Sequence, residues 1–538
     1  MPSSIRAASK VADATAPAGT GAAPDTGSTP GTDAEPTPLS GGKLLLAGVA
    51  LALANFVVVL DTTIANVSVP HIAGGLAISP TQGTWVITSY SVADAISVPL
   101  TGWLAARFGT VRWFIMSLIG FGFFSMLCGL SNSLGMLVVF RILQGLSGGP
   151  LMPLSQSLLL RIFPKQKAGA AMGLWAMTTV CAPIAGPILG GMISDNWTWP
   201  WIFFINLPVV AFCVFAVTRL VTPFETKKAK VGIDIVGLIL LVVWVGAFQL
   251  MLDTGREHDW FSSPFVVAMA VIAAIGLPAF VIWELGEKNP IVDIKVFRHR
   301  GFTAGTVAVA LGFGAFFASV VLTPLWLQQV VGYTATEAGF TTAFVGVFAV
   351  IMSPIAARLV GKVDLRITVC LGILWLGVMS LLRARWSTEA DFFQLALPQL
   401  LQGFGMPFFF IGLTALALSS VKPSETTSAA GIMSFVRTLC GAIGTAMATT
   451  AWDNASRVSR SDMVPALNGV STTMEQLQAR GMSVEQSRGV IDRLVEAQSA
   501  TVGATHVFTL AFAIFLIAAA FVWLAPKPKG APQMGAAH

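Results

Sequence analysis

Apolar runs about as long as a bilayer crossing recur through most of the chain, separated by short polar or basic stretches. A helix needs roughly 20 residues to cross the hydrocarbon of a membrane. The runs fall at about 44–69, 85–105, 112–131, 134–157, 168–192, 199–221, 234–252, 264–284, 302–327, 337–359, 367–382, 393–418, 427–451 and 503–524. They predict an all-α integral membrane protein with fourteen spans. The first run, Leu44–Leu60, is too short to finish a crossing, so its helix continues through Asp61 to about Val69. A carboxylic acid at that depth costs a few kcal/mol and by default marks a working site. Asn55, Thr62 and Asn66 recur at helical spacing and place one polar stripe beside it. The plainer reading is that Asp61 only hydrogen-bonds a neighbouring helix.

Composition agrees with the pattern. Of 538 residues, 55% are hydrophobic and 11% charged, where soluble domains carry about 25% charged. The net charge of +6 is no nucleic-acid signal, because the basic residues sit in short loops and form no basic-aromatic patch. Arg107, Arg112, Arg161, Lys165, Lys167, Lys227, Lys228, Lys230, Lys288, Lys295, Arg298, Arg300, Arg358, Lys362, Arg366, Lys422, Lys527 and Lys529 all fall in alternate loops or the tail. The intervening short loops hold little beyond Arg256, Arg383 and Arg385. Basic loops stay inside, so both termini are expected in the cytoplasm. Residues 1–43, rich in Ala, Pro, Gly, Thr and Ser, read as a disordered tail and contain no apolar signal-peptide core. The five cysteines lie in apolar runs without metal or redox spacing, and the five histidines are scattered. No catalytic triad, metal cluster or nucleotide loop is present in the sequence, which argues against an enzyme or an ATP-driven pump.

The long outer loop, 453–500, carries five arginines, which long loops can do. Ser483 and Gln486 form a capping-box pattern ahead of Val484, Ser487, Ile491, Leu494 and Val495. An amphipathic helix is expected there, serving either a partner or the protein's own mouth.

A repeat of offset 258 relates Arg141-Ile-Leu-Gln144-Gly145 to Gln399-Leu-Leu-Gln402-Gly403, Gly173 to Gly431, and Gly186 to Gly444. Two six-helix halves with two helices inserted between them follow, a plan in which transporters place their substrate near the midplane. Arg141 falls opposite Gln399, so the charge belongs to the first half alone. Arg141 is costly inside a span and wants a partner; Gln144 and Gly145 share its face. Ala182, Gly186 and Gly190 make a small-residue stripe, and Pro183 and Pro187 each remove a backbone bond and bend the helix. Gly102 and Gly109 let the loop after the second span turn tightly, while Arg107 and Arg112 anchor it at the inner leaflet. Asp94 lies in mid-span as a second acid or as a polar wall of a wet cavity. Arg437 carries the same cost as Arg141 and is placed to meet an anionic substrate.

Several of these stretches resemble a known family. Leu60-Asp61-Thr62-Thr63-Ile64-Ala65-Asn66-Val67 resembles the first-helix signature of the fourteen-span drug:proton antiporters of the major facilitator superfamily. Gly102 to Arg112 resembles the superfamily's loop motif, Arg141 to Gly145 its fourth-span motif, and Ala182 to Gly191 the antiporter motif of span five. Gln82-Gly-Thr-Trp85, Trp201 to Pro208 and Asn289 to Asp293 are similar to the EmrB-type multidrug exporters. The loop motif usually has an acid where Ala106 stands, which puts its clamp in doubt.

The resemblance implies a tail at 1–43, a first half at 44–221, an inserted pair and linkers at 222–300, a second half at 301–526 including the periplasmic loop, and a tail at 527–538. It implies export of lipophilic drugs and hydrophobic weak acids from the cell inner membrane, driven by the proton gradient with no cofactor. Asp61, Arg141 and Asp94 would couple protons. Asn55, Thr62, Asn66, Gln144, Gln399, Gln402 and Arg437 would line the cavity. Partners would be a periplasmic adaptor of the EmrA type and an outer-membrane channel of the TolC type. Export of one native metabolite, such as a siderophore or organic acid, is the nearest alternative; the span-five motif argues against inward symport.

Overall fold

The computed structural model describes residues 39–527 apart from 165–166, 227, 229–231, 233, 289, 360–362 and 423–424. Most of both expected tails therefore lies outside the described residues, as do Lys165, Lys227, Lys230, Asn289, Lys362 and Lys529. In a bilayer every backbone polar group must be satisfied internally, and long apolar runs satisfy this as helices. In chain order the long helices are α1 (Gly41–Gly75), α2 (Trp85–Phe108), α3 (Thr110–Gly129), α4 (Leu134–Ile162), α5 (Ala168–Asn196), α6 (Trp201–Leu220), α7 (Ile235–Gly255) and α8 (Pro264–Gly286). They continue with α9 (Arg300–Val331), α10 (Ala335–Leu359), α11 (Leu365–Arg383), α12 (Phe392–Leu418), α13 (Thr426–Ala466), the short α14 (Val470–Ala479) and α15 (Val484–Val522). Among the described residues, 12 helices are long and apolar enough to cross a membrane. Two of the expected fourteen spans, α2 and α5, fall outside that set despite lengths of 24 and 29 residues. In α2 the reason is its polar content, including Thr88, Ser89, Asp94, Ser97 and Thr101.

The packing is duplicated. In the first half α1 packs on α5 and α6, while α4 packs on α2 and α3. In the second half α9 packs on α13 and α15, while α12 packs on α10 and α11. Two further pairings join the halves, α5 with α10 and α2 with α13. Large apolar side chains such as Ile239, Ile275, Leu371 and Ile517 point outward, as lipid-facing residues should. The inserted pair α7–α8 rests on this seam, with α7 touching both α2 and α13. Arg256 of α7's end pairs with Asp453 at 2.6 Å, and Trp260 donates to Thr450 at 3.1 Å. At the other end Glu425 holds both Arg298 and His299.

Two expectations about loops need correction. Gly102 does not shape the turn after the second span: it lies inside α2 with open space where a side chain would go. The turn falls at Gly109, whose φ of 95° suits glycine. Glu225, after α6, then caps α3: its carboxylate accepts from the Val111 and Arg112 N–H groups at 2.9 Å each. An acid at a helix N-terminus satisfies orphan donors and meets the positive end of the dipole. Arg112 thus enters this turn through its backbone, and Arg107 lies over the Trp103 ring at 5.6 Å.

The second correction concerns 453–500. The Ser483–Gln486 capping box is present, but the helix it opens is α15 itself, running without a break into the last span. α13 likewise extends to Ala466. The segment is therefore mostly the projecting ends of two spans, bridged by α14.

Candidate functional site

Asp61 and Arg141 meet inside the first half. The Arg141 Nη1 lies 2.6 Å from Asp61 Oδ2, and both side chains are sealed from solvent. Asp61 Oδ1 accepts from Asn206 at 2.7 Å and from Gln144 at 3.1 Å. Arg141 also donates to the Val86 carbonyl at 3.0 Å and to Gln144 at 2.9 Å. The Tyr90 ring lies 4.3 Å from the guanidinium carbon and the Phe203 ring 5.5 Å. Five helices supply this cluster: α1, α2, α4 and α6 directly, and α3 through Ser125, which accepts from Asn206 at 3.1 Å. Charge-assisted bonds of this kind are the strong ones, and an acid holding three donors is well satisfied.

This geometry corrects the expected surroundings of Asp61. It faces no open cavity but the interior of its own half. The polar stripe also divides. Asn55 donates to Thr178 at 3.1 Å and Thr179 at 2.9 Å on α5. Thr62 donates to its own helix at Val58, and Asn66 is exposed. Asp94 is half-buried on the α2 face against α4, where Gly149 leaves room for it; a side chain at Gly149 would lie 3.3 Å from its carboxylate. Gly145 permits the same contact, since its side chain would meet the Tyr90 carbonyl at 2.6 Å. Gly186 and Gly190 bring α5 onto α1 at Thr63 and Ile64. Helix α5 runs unbroken through positions 183 and 187; the side chains of Pro183 and Pro187 lie outside the described residues.

The second half answers the first with a different arrangement. Gln399, opposite Arg141 in the repeat, accepts from Arg383 at 3.0 Å. Arg383 is 1% exposed and so is no loop charge. It occupies the repeat position of Ser125, one offset of 258 further on. The cation has thus moved to the neighbouring helix, and the second half is not uncharged as the repeat suggested. Ser319 stands where Asp61 would be, and no acid among the described residues pairs with Arg383. Gln402 is buried on α12, one turn beyond Gln399.

Arg437 lies at the seam. Its guanidinium carbon is 5.1 Å from the Trp175 ring of α5 and 4.8 Å from the Phe313 ring of α9. Its Nη2 reaches Thr414 of α12 at 3.3 Å. Near the end of α2 where Gly109 lies, a cavity of about 330 Å³ separates the halves, lined by Gly102, Trp103, Ala106, Thr226, Val292 and Ser428 among others.

The sequence pattern singled out Asp61, Arg141 and Gln144, and these do come together. It missed Asn206, Tyr90 and Arg383. Carrying the 258 offset through the third span pairs Ser125 with Arg383 and would have shown the last.

Two duplicated helical halves, with an acid–base pair sealed inside the first, fit the plan of a membrane transporter. Residues 51–445 match the profile of the Major Facilitator Superfamily. The chain is 44% identical over 92% of its length to the multidrug export protein EmrB of Escherichia coli (strain K12), covering 98% of that protein. It is 42% identical over 91% to the fatty acid resistance protein FarB of Neisseria gonorrhoeae, again covering 98%. The proton:xylose symporter XylE shares the fold at TM-score 0.56 and 12% identity, with 91% of this chain and 98% of that one aligned. A human organic anion transporter does so at TM-score 0.55 and 13% identity, with 88% and 100% aligned. The chain belongs to the Major Facilitator Superfamily, among its EmrB-type multidrug exporters.

Proposed function

We propose that this protein is a proton-coupled antiporter that exports lipophilic drugs and hydrophobic weak acids. The observation that carries this reading is the buried Asp61–Arg141 pair with its Gln144 and Asn206 donors. A proton placed on Asp61 removes the anion that three donors are arranged around. Arg141 then lacks a counter-charge, so protonation favours a different packing of α1 against α4 and α6. Coupled to alternation of the halves 44–221 and 301–526 about their seam, that repacking within the first half would open the acid to one side and then the other. One proton moving down a potential of roughly 150 mV releases about 3.5 kcal/mol, enough for a gradient of about 300-fold. The likeness to a multidrug export protein and to a fatty acid resistance protein supports both substrate classes.

The test is proton flux in energised inside-out vesicles on addition of a lipophilic, non-uncoupling substrate. Wild type is expected to leak protons in response, and Asp61→Asn at equal expression is not. An unaltered response in the mutant would move the coupling site elsewhere, with Asp94 the next acid to test.

The basic loops support cytoplasmic termini, and the likeness to the EmrB-type exporters supports an inner-membrane location. The projecting ends of α13 and α15 with α14 would then face the periplasm, as the docking surface for an adaptor of the EmrA type leading to a TolC-type channel. Replacing 467–483 with a glycine–serine linker leaves every span intact and is expected to abolish adaptor co-purification. Undiminished co-purification would put the contact on another surface.

A further inference from the structure

We infer that Arg437, within its cage of Trp175, Phe313 and Thr414, binds the anionic head of lipophilic acids. The inference rests on the export reading and adds the site. Arg437 is 3% exposed. Its only hydrogen bond to a described residue is the one to Thr414, and its Nε and Nη1 have no partner among the described residues. Nor does any described carboxylate pair with it, in contrast to Arg141, whose charge Asp61 answers. Burying a cation without an anion is expensive. The two aromatic faces offset part of that cost but leave two N–H directions of the planar fork free. That fork matches a carboxylate bidentately.

Location separates Arg437 from Arg383, the other buried arginine without a counter-ion among the described residues. Arg383 is enclosed by α11, α12 and Phe508 of α15, all in one half. Arg437 instead has Trp175 from one half on one side and Phe313 from the other half on the second. Separation of the halves must uncover it. Ser434, one turn earlier on α13, has a buried hydroxyl that is also unpaired. The Trp175 wall is tied in place, since the Thr178 and Thr179 hydroxyls both donate to its carbonyl and both accept from Asn55 of α1. A head group at Arg437 would therefore have the guanidinium and the Ser434 hydroxyl nearby and aromatic walls for the start of its tail.

A monoanionic head on an apolar tail describes an exported acid and also a bilayer phospholipid, and the experiment separates them. Full-length protein is placed in nanodiscs of phosphatidylcholine alone, and binding of radiolabelled dodecanoate and of its methyl ester is measured against empty discs. Wild type is expected to bind dodecanoate at least tenfold more tightly than the ester. Arg437→Gln is expected to lose at least tenfold in dodecanoate affinity, Arg437→Lys less, and Trp175→Leu to fall between. Equal dodecanoate binding by wild type and Arg437→Gln, both monodisperse, would overturn the assignment. So would a site that phosphatidylglycerol blocks while wild-type vesicles fail to export dodecanoate, since its occupant would then be lipid. Failure of wild type to export any lipophile, neutral or acidic, would instead overturn the export reading itself.

Discussion

Arg141→Met is expected to destabilise the protein by about 3–5 kcal/mol, the usual cost of stripping one partner from a buried ion pair. The geometry explains the size. Arg141 joins the Asp61 carboxylate, the Val86 carbonyl and the Gln144 amide. Methionine fills much of its volume under Tyr90 but leaves Asp61 a buried anion with two neutral donors, Gln144 and Asn206. Adding Asp61→Asn removes that anion, so the double variant should regain most of the loss. It should not regain proton coupling, because no titratable acid remains at the centre of the cluster. Unfolding of the purified protein in detergent, paired with proton flux in vesicles, reads both quantities. Were Arg141→Met as stable as the wild type, Asp61 would be neutral in this conformation and the contact an ordinary hydrogen bond.

That cycle bears on how the two halves differ. Their helices pack in matching pairs, yet the repeat positions carry Asp61 against Ser319, Arg141 against Gln399, and Ser125 against Arg383. Among the described residues, only the first half seals an acid with its base in the interior; the second half's pairs, such as Arg366–Asp364, keep contact with solvent. The second half and the seam hold buried arginines without an acid among the described residues, Arg383 and Arg437. Under the proposed function this is a division of work, with the proton handled on one side and an anionic substrate met on the other. A carrier whose halves were chemically identical would have no reason to exchange one for the other.

Much of this was legible in the sequence because the bilayer punishes polar groups. Apolar length marked the 12 helices that are long and apolar enough to cross, and the cost of Asp61 and Arg141 within them marked both as paired or working. The helical ends of 453–500 were half legible: the Ser483 cap was visible, but nothing local shows that a capped polar helix continues into the next span. Three-dimensional pairing was less accessible. Asp61 and Arg141 are 80 residues apart and Asn206 lies 145 from Asp61, and no helical periodicity reports which faces meet. The stripe of Asn55, Thr62 and Asn66 is real on α1, but a helix with neighbours on several sides spends one stripe on different partners at different depths. Arg383 was hidden by position, since a basic residue at a span's end reads as a loop charge until its burial is known.

The glycines of the repeat lead to the second large effect. At Gly403 an added methyl group would lie 2.1 Å from the Val345 carbonyl and 2.9 Å from the Ala349 nitrogen. At Gly444 it would lie 2.1 Å from the Gly314 carbonyl. In each case the obstacle is the backbone of a facing helix, α10 or α9, which no rotamer change can relieve. Gly403→Ala and Gly444→Ala are therefore each expected to lose about 3 kcal/mol, the upper end of overpacking. Gly431 belongs to the same repeat but has no atom within 4 Å of such a methyl group. Gly431→Ala should be neutral or gain a few tenths of a kcal/mol, because alanine is the better helix former. Unfolding midpoints of the three variants in one detergent decide the matter. A wide gap between Gly431→Ala and the other two ties the repeat to helix contact, since glycine is then required only where two backbones touch. If all three unfold together, close approach does not limit stability, and the matching glycines record shared ancestry of the halves rather than a present packing need.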